Sequence, residues 1–163
     1  MDNRVVNVVI AGLGGQGVLL ASDILAEAAF RAGYEVKKSE VHGMSQRGGF
    51  VASDVRFGRG EVFSPMVPEG EADSVVVLVE DQVETARPFL RPGGQLLTPD
   101  WIDEKALANR RTLNVALLGA LSVAVDIDLA AWREALRKHV PEKYRDVNDK
   151  AFQTGREAAL GRK

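Results

Sequence analysis

The sequence predicts an α/β fold: a Rossmann-like, three-layer arrangement with a mostly parallel sheet, helices on both faces and extra C-terminal helices. Three observations carry that expectation. The apolar, β-branched runs Val5 to Ala11 and Ser74 to Glu80 have the composition of strands buried on both faces. Helix-forming segments alternate with strand candidates along the chain. A glycine hexamer, Gly12-Leu13-Gly14-Gly15-Gln16-Gly17, stands where the first strand would turn into the first helix. The length of 163 residues suits one ordinary domain spanning residues 1–163.

Each element follows from local chemistry. Val5 to Ala11 is the first strand, and Val18 to Arg31 is the first helix, with Val18, Ala21, Leu25 and Ala28 on one face and Gly33 at its end. Glu35 to Ser39 is a second short strand, followed by a glycine-bearing loop from Glu40 to Gly49. Val51, Val55 and Phe57 alternate loosely with Ser53, Asp54 and Arg56, which predicts a strand at the margin of the sheet. Gly58-Arg59-Gly60 reads as a hairpin turn into Glu61-Val62-Phe63. Ser74 to Glu80 is the strongest central-strand signal, and Asp81 with Glu84 has capping-box spacing for a helix kept short by Pro88. After the Arg91 to Gly94 turn, Gln95 to Thr98 is a further strand. Leu113 to Val125 reads as a buried helix, Asp128 as the cap of a helix to His139, and Pro141 as the opening of a last helix to about Leu160.

Composition narrows the function classes. Hydrophobic residues make up 45% and charged residues 27%, the balance of a globular chain. The net charge of −2 gives no concentrated positive surface, so no nucleic-acid partner is expected. Arg133 to Lys163 holds nine basic and five acidic side chains, which reads as a solvated helical face. The longest apolar stretch, Val115 to Val125, falls short of the roughly 20 residues a membrane helix needs, and the N-terminus has no signal-peptide pattern. A cytoplasmic protein with no membrane partner is the expectation. The chain has no cysteine, which excludes disulfides, thiolate metal sites, cysteine nucleophiles and cysteine-ligated iron–sulfur clusters within it.

Gly12, Gly14 and Gly17 fit the G-x-G-x-x-G spacing at the mouth of a helix, where the turn, the close approach of an anion and helix–strand packing each favour glycine. Gly15 and Gln16 complete the loop. Nucleotide or phosphate binding and a purely structural tight crossing are both open readings of these residues. Lysines occupy the second strand between Glu35 and Glu40, an incomplete match to a dinucleotide site, and no substrate domain follows.

The second loop, His42-Gly43-Met44-Ser45-Gln46-Arg47-Gly48-Gly49, gathers polar side chains between glycines. His42 is the candidate proton-transfer group, and Arg47 can clamp a carboxylate or phosphate. No carboxylate is spaced to make a triad with Ser45 and His42, and no metal site is expected from His42 and His139. Ligand binding or contact with a partner is therefore assigned to Gly12, Gly14, Gly15, Gln16, Gly17, His42, Ser45, Gln46, Arg47, Gly48 and Gly49.

The two loops together, with Asp54-Val-Arg-Phe-Gly58, Phe63-Ser-Pro65, Glu69-Gly-Glu-Ala-Asp73, Leu90-Arg-Pro-Gly-Gly94 and Leu117-Leu-Gly-Ala-Leu121, carry a resemblance across nearly the whole chain. It resembles the gamma-type subunit or domain of the 2-oxoacid (keto acid):ferredoxin oxidoreductases. Within that group Ser39-Glu-Val-His-Gly-Met44 is most similar to the beta subunit of the indolepyruvate branch. The resemblance implies a multi-subunit enzyme that oxidatively decarboxylates a 2-oxoacid to an acyl-coenzyme A and reduces ferredoxin. It further implies that thiamine diphosphate, magnesium and iron–sulfur clusters sit on larger partner subunits, that coenzyme A is a substrate, and that this chain alone is inactive. A homodimer of the isolated chain fits an exposed partner-facing surface. The alternative is a stand-alone Rossmann-like nucleotide-binding module.

Overall fold

The computed structural model describes residues 3–42 and 48–162. Its centre is a five-stranded sheet of order β2-β3-β1-β4-β5, formed by β1 (Val6–Leu13), β2 (Glu35–His42), β3 (Phe50–Gly58), β4 (Ala72–Val77) and β5 (Leu90–Leu97). β1 pairs in parallel with β4, and β4 with β5, while β3 runs antiparallel to both β1 and β2. Four strands therefore point one way and β3 alone runs against them. The α/β expectation is met.

β1 shows why the sheet sits in the middle. Val8 and Ile10 face one side and Val9 and Ala11 the other, and all four are fully buried. The first side meets α1 (Val18–Arg31) and α3 (Leu113–Ser122), on which α4 (Leu129–His139) and α5 (Arg145–Gly161) pack in turn. The second side is covered more thinly, by the four-residue α2 (Val83–Ala86) through Val83 and Ala86, and by Val67 from the chain before β4. Helices lie on both faces, but unequally.

Several local expectations are corrected. β3 is not marginal: it lies between β1 and β2, and β2 is the edge. Two of its polar residues, Asp54 and Arg56, find partners inside the fold, which is why the alternation is loose. Asp54, only 6% exposed, accepts from Val67 N at 2.9 Å, and Arg56 donates to Asn7 Oδ1 and to Ser64 O, each at 2.8 Å. Burial pushes the Asp54 carboxyl above the usual carboxylate range, against the Val67 N–H and the Arg56 charge, which pull it down. The residues after Gly60 form an irregular segment rather than a strand. Asp81 caps nothing: it lies within a 3-10 turn, Glu80–Gln82, whose preceding residue Val79 makes no side-chain cap, and Glu84 pairs with Arg87. Arg91 to Gly94 belongs to β5, where the pairing with β4 shifts register between Ala72 and Ser74. Asp128 does cap α4, accepting from Ala131 N at 2.7 Å.

No helix among the described residues is long and apolar enough to cross a membrane.

Candidate functional site

The chain leaves β1 and turns into α1, whereas β4 is followed by the turns leading to β5 on the other side. Between the carboxyl ends of these two parallel neighbours the connections diverge, and such switch points are where α/β sheets open their ligand crevices. The glycine hexamer occupies that position. Leu78, just past β4, is held to β1 by its N–H, which donates to Ala11 O at 2.9 Å.

Each glycine here has a different reason. A side chain at Gly12 would meet Gln16 Oε1 at 2.8 Å and Leu78 Cβ at 3.2 Å, because the turn folds directly over it. Gln16 closes that turn twice: its Oε1 accepts from Leu13 N at 2.7 Å, and its own N–H donates to Leu13 O at 3.2 Å. Gly17 has φ +82°, a left-handed conformation that reverses the chain into α1. Its carbonyl accepts from Ala21 N at 3.0 Å and from Asn114 Nδ2 at 3.2 Å, so the start of α1 is tied to the start of α3. The first N–H groups of α1 have no partner within their own helix.

The second loop comes to the first. Gly14 N donates to Gly49 O at 2.9 Å, and a Cβ at Gly14 would lie 3.5 Å from Gly48 N, so the two glycine segments pack backbone to backbone. Ser45, Gln46 and Arg47 lie outside the described residues. His42 ends β2, exposed, with its Nε2 3.9 Å from Glu40 Oε2. On the same side of β2, Lys38 contacts Glu40 at 3.0 Å and also pairs with Asp23 of α1. Burial works to lower the Lys38 ammonium, but the bonds to Asp23 and Glu40 outweigh it and hold the group above its ordinary value.

Three contributors were not legible as site residues. A cleft of about 600 Å³ is lined by Gly15, Gln16 and Gly17 of the loop together with Arg110, Arg111 and Asn114. Arg110 and Arg111 lie in a 3-10 turn, Arg110–Thr112, that leads directly into α3. Asn109 caps it, its side chain accepting from Arg111 N at 2.9 Å. Two helix starts and two exposed guanidinium groups thus meet beside the glycine loop, an arrangement suited to an anion. Nearly a hundred residues separate the arginines from the hexamer, so spacing could not join them. The available signal was an Asn-Arg-Arg-Thr segment placed immediately before a buried helix.

An equally large cleft, about 620 Å³, lies at the opposite end of β1 and β4. Its charges are occupied: Arg4 and Arg91 pair with Asp73, and Arg59 stacks over the Tyr34 ring at 4.0 Å. Arg110 of the switch-point cleft also has an acidic neighbour, Glu104 at 3.7 Å, so it is the convergence of the glycine loop with two helix starts that makes this cleft the better candidate. Among the described residues no group of His, Asp and Glu is placed to hold a metal, and the donor set does not fit a cysteine-ligated cluster.

Comparison with known proteins converges on one family. Residues 7–105 match the family model described as pyruvate ferredoxin/flavodoxin oxidoreductase. The chain is 39% identical to indolepyruvate oxidoreductase subunit IorB of Thermococcus kodakarensis, covering 94% of this chain and 95% of that one. It is 28% identical to 2-oxoglutarate synthase subunit KorC of Methanothermobacter marburgensis, over 93% and 95% of the two chains. In structure it matches the keto/oxoacid ferredoxin oxidoreductase gamma subunit from Geobacter sulfurreducens with a TM-score of 0.80 and 28% identity, covering 96% of this chain and 99% of that one. The chain therefore belongs to the pyruvate ferredoxin/flavodoxin oxidoreductase family, in its small gamma-type subunit form.

Proposed function

We propose that the chain acts, as one gamma-type domain, as the small non-redox subunit of a complex that oxidises an aryl pyruvate such as indolepyruvate. In that reaction the 2-oxoacid loses carbon dioxide, its acyl carbon forms a thioester with coenzyme A, and two electrons leave to two ferredoxin molecules. Thiamine diphosphate, magnesium and iron–sulfur clusters would reside on the larger subunit, which supplies the carbanion and redox chemistry. The similarity to IorB supports the aryl pyruvate.

The observation that carries the role of this chain is the cleft in which Gly15, Gln16 and Gly17 of the first glycine loop meet Arg110 and Arg111, with the end of the second loop tied to the first by the Gly14–Gly49 bond. Backbone N–H groups and guanidinium groups there would hold an anionic part of a ligand, with a coenzyme A phosphate as the proposed group. Arg47 and the neighbouring Ser45, Gln46 and His42 would line the side that meets the larger subunit.

Initial rates of the reconstituted complex test this assignment. Arg110→Ala/Arg111→Ala should raise the KM for coenzyme A by at least about tenfold, the loss expected from even one charge-assisted contact, and leave the KM for the 2-oxoacid near its original value. Arg47→Ala should lower turnover without preventing assembly. Unchanged kinetics for both substrates in both variants would reduce the loops to scaffold.

A further inference from the structure

The segment between β3 and β4 is built unlike a passive loop. Val62 and Val67 are buried, yet the two large apolar side chains between them point out: Phe63 is 84% exposed and Met66 58%. Three bonds hold the segment in that pose. Val62 N donates to Glu35 Oε2 at 3.1 Å, Arg56 Nη1 to Ser64 O at 2.8 Å, and Val67 N to Asp54 Oδ2 at 2.9 Å. Pro65 and Pro68 stiffen it further. An apolar tip fixed in place loses little conformational freedom on binding, which is how anchor residues of interfaces behave.

Charge says what kind of surface fits. Residues 60–71, the tip and its flanks, contain three acidic side chains and no basic one, and Arg56, a cation bonded to them, is already engaged with Asn7 and the Ser64 carbonyl. Glu61, Glu69 and Glu71 stand exposed on the segment itself. A second copy docking tip to tip would bring these acidic rims together, and like charges across an interface repel. A partner with a basic rim is attracted instead.

We propose that the Phe63–Met66 tip anchors this chain on the larger subunit, in an apolar socket rimmed by lysine and arginine; the inference rests on the subunit reading above. The tip lies on the side of the sheet that the long helices leave thinly covered, so a docked partner would complete that face.

The test measures binding of the purified larger subunit to the wild-type chain, to Phe63→Ser/Met66→Ser, to Glu61→Lys/Glu69→Lys and to Phe30→Ser. Phe30 is a comparably exposed control on α1, and circular dichroism checks that each variant is folded. The tip variant should bind about 100-fold more weakly, while Phe30→Ser binds like the wild type. Wild-type affinity should fall between about 0.05 M and about 0.5 M salt, and the charge-reversed variant should bind more weakly with a flatter salt dependence. Undiminished binding by the folded tip variant overturns the inference while leaving the subunit reading intact. Failure of the wild-type chain to bind the larger subunit overturns both. A wild-type dimer that the tip substitutions abolish, with binding to the larger subunit unaffected, assigns the tip to self-association and also overturns it.

Discussion

Gly155→Ala should destabilise the protein by about 3 kcal/mol, even though alanine is the better helix former by about 1 kcal/mol. The reason is the crossing of α3 and α5. A Cβ at Gly155 would lie 2.6 Å from the carbonyl carbon of Ala116 and closer still to its oxygen, and a Cβ at Gly119 would lie 2.8 Å from the carbonyl carbon of Phe152. Both obstacles are backbone, so no side chain can turn aside and the helices must separate. Separation would open the packing of Trp132 and Phe152, whose rings sit 5.5 Å apart between α4 and α5. Gly161→Ala, at the end of the same helix with open space around it, serves as control and should be neutral or slightly stabilising. Urea unfolding monitored by circular dichroism measures both. A gain in stability for Gly155→Ala would mean that propensity dominates and the helices are not in close contact.

Gly17→Ala should cost about 2–4 kcal/mol, from two additive sources. The backbone at φ +82° strains any residue with a Cβ by about 1–2 kcal/mol. The new methyl would also lie 3.2 Å from Asn114 Cγ and closer still to Nδ2, displacing the side chain that ties α3 to the Gly17 carbonyl and adding about 1–2 kcal/mol. Gly15→Ala separates the two sources. Gly15 has φ +89° but nothing within contact distance of a new Cβ, so only the backbone strain should be lost. Equal losses for the two variants, again by urea unfolding, would show that the Asn114 tie contributes nothing. The pair also bears on function, because Gly15, Gly17 and Asn114 all line the cleft.

What the sequence made legible was local. β1 and β4 declared themselves because both faces of each are buried, and α4 because Asp128 places its carboxylate on Ala131 N. The hexamer was readable because glycine is needed there for conformation at Gly17 and for space at Gly12. What escaped depends on partners distant in sequence. Asp54 and Arg56 suggested a marginal strand, since nothing in their neighbourhood reveals that Val67 N, Ser64 O and Asn7 will satisfy them in the interior. Asp81 had the spacing of a cap but lies within a 3-10 turn instead of before it. Arg110 and Arg111 gained meaning only when α3 brought them to the glycine loop. Gly119 and Gly155 were inconspicuous for the same reason, their purpose being each other's helix.

The chain contains no cysteine. A family member that cannot ligate a cluster through cysteine, yet carries a built crevice, fits a chain that shapes a site whose redox centres belong to another subunit. The most direct test is ferredoxin reduction with indolepyruvate and coenzyme A by this chain alone, by the purified larger subunit alone, and by the two combined. The two chains should co-elute, iron and thiamine diphosphate should stay with the larger subunit when they are separated, and only the combination should be active. A larger subunit fully active without this chain, or a chain that elutes alone and retains a nucleotide, would contradict the subunit reading.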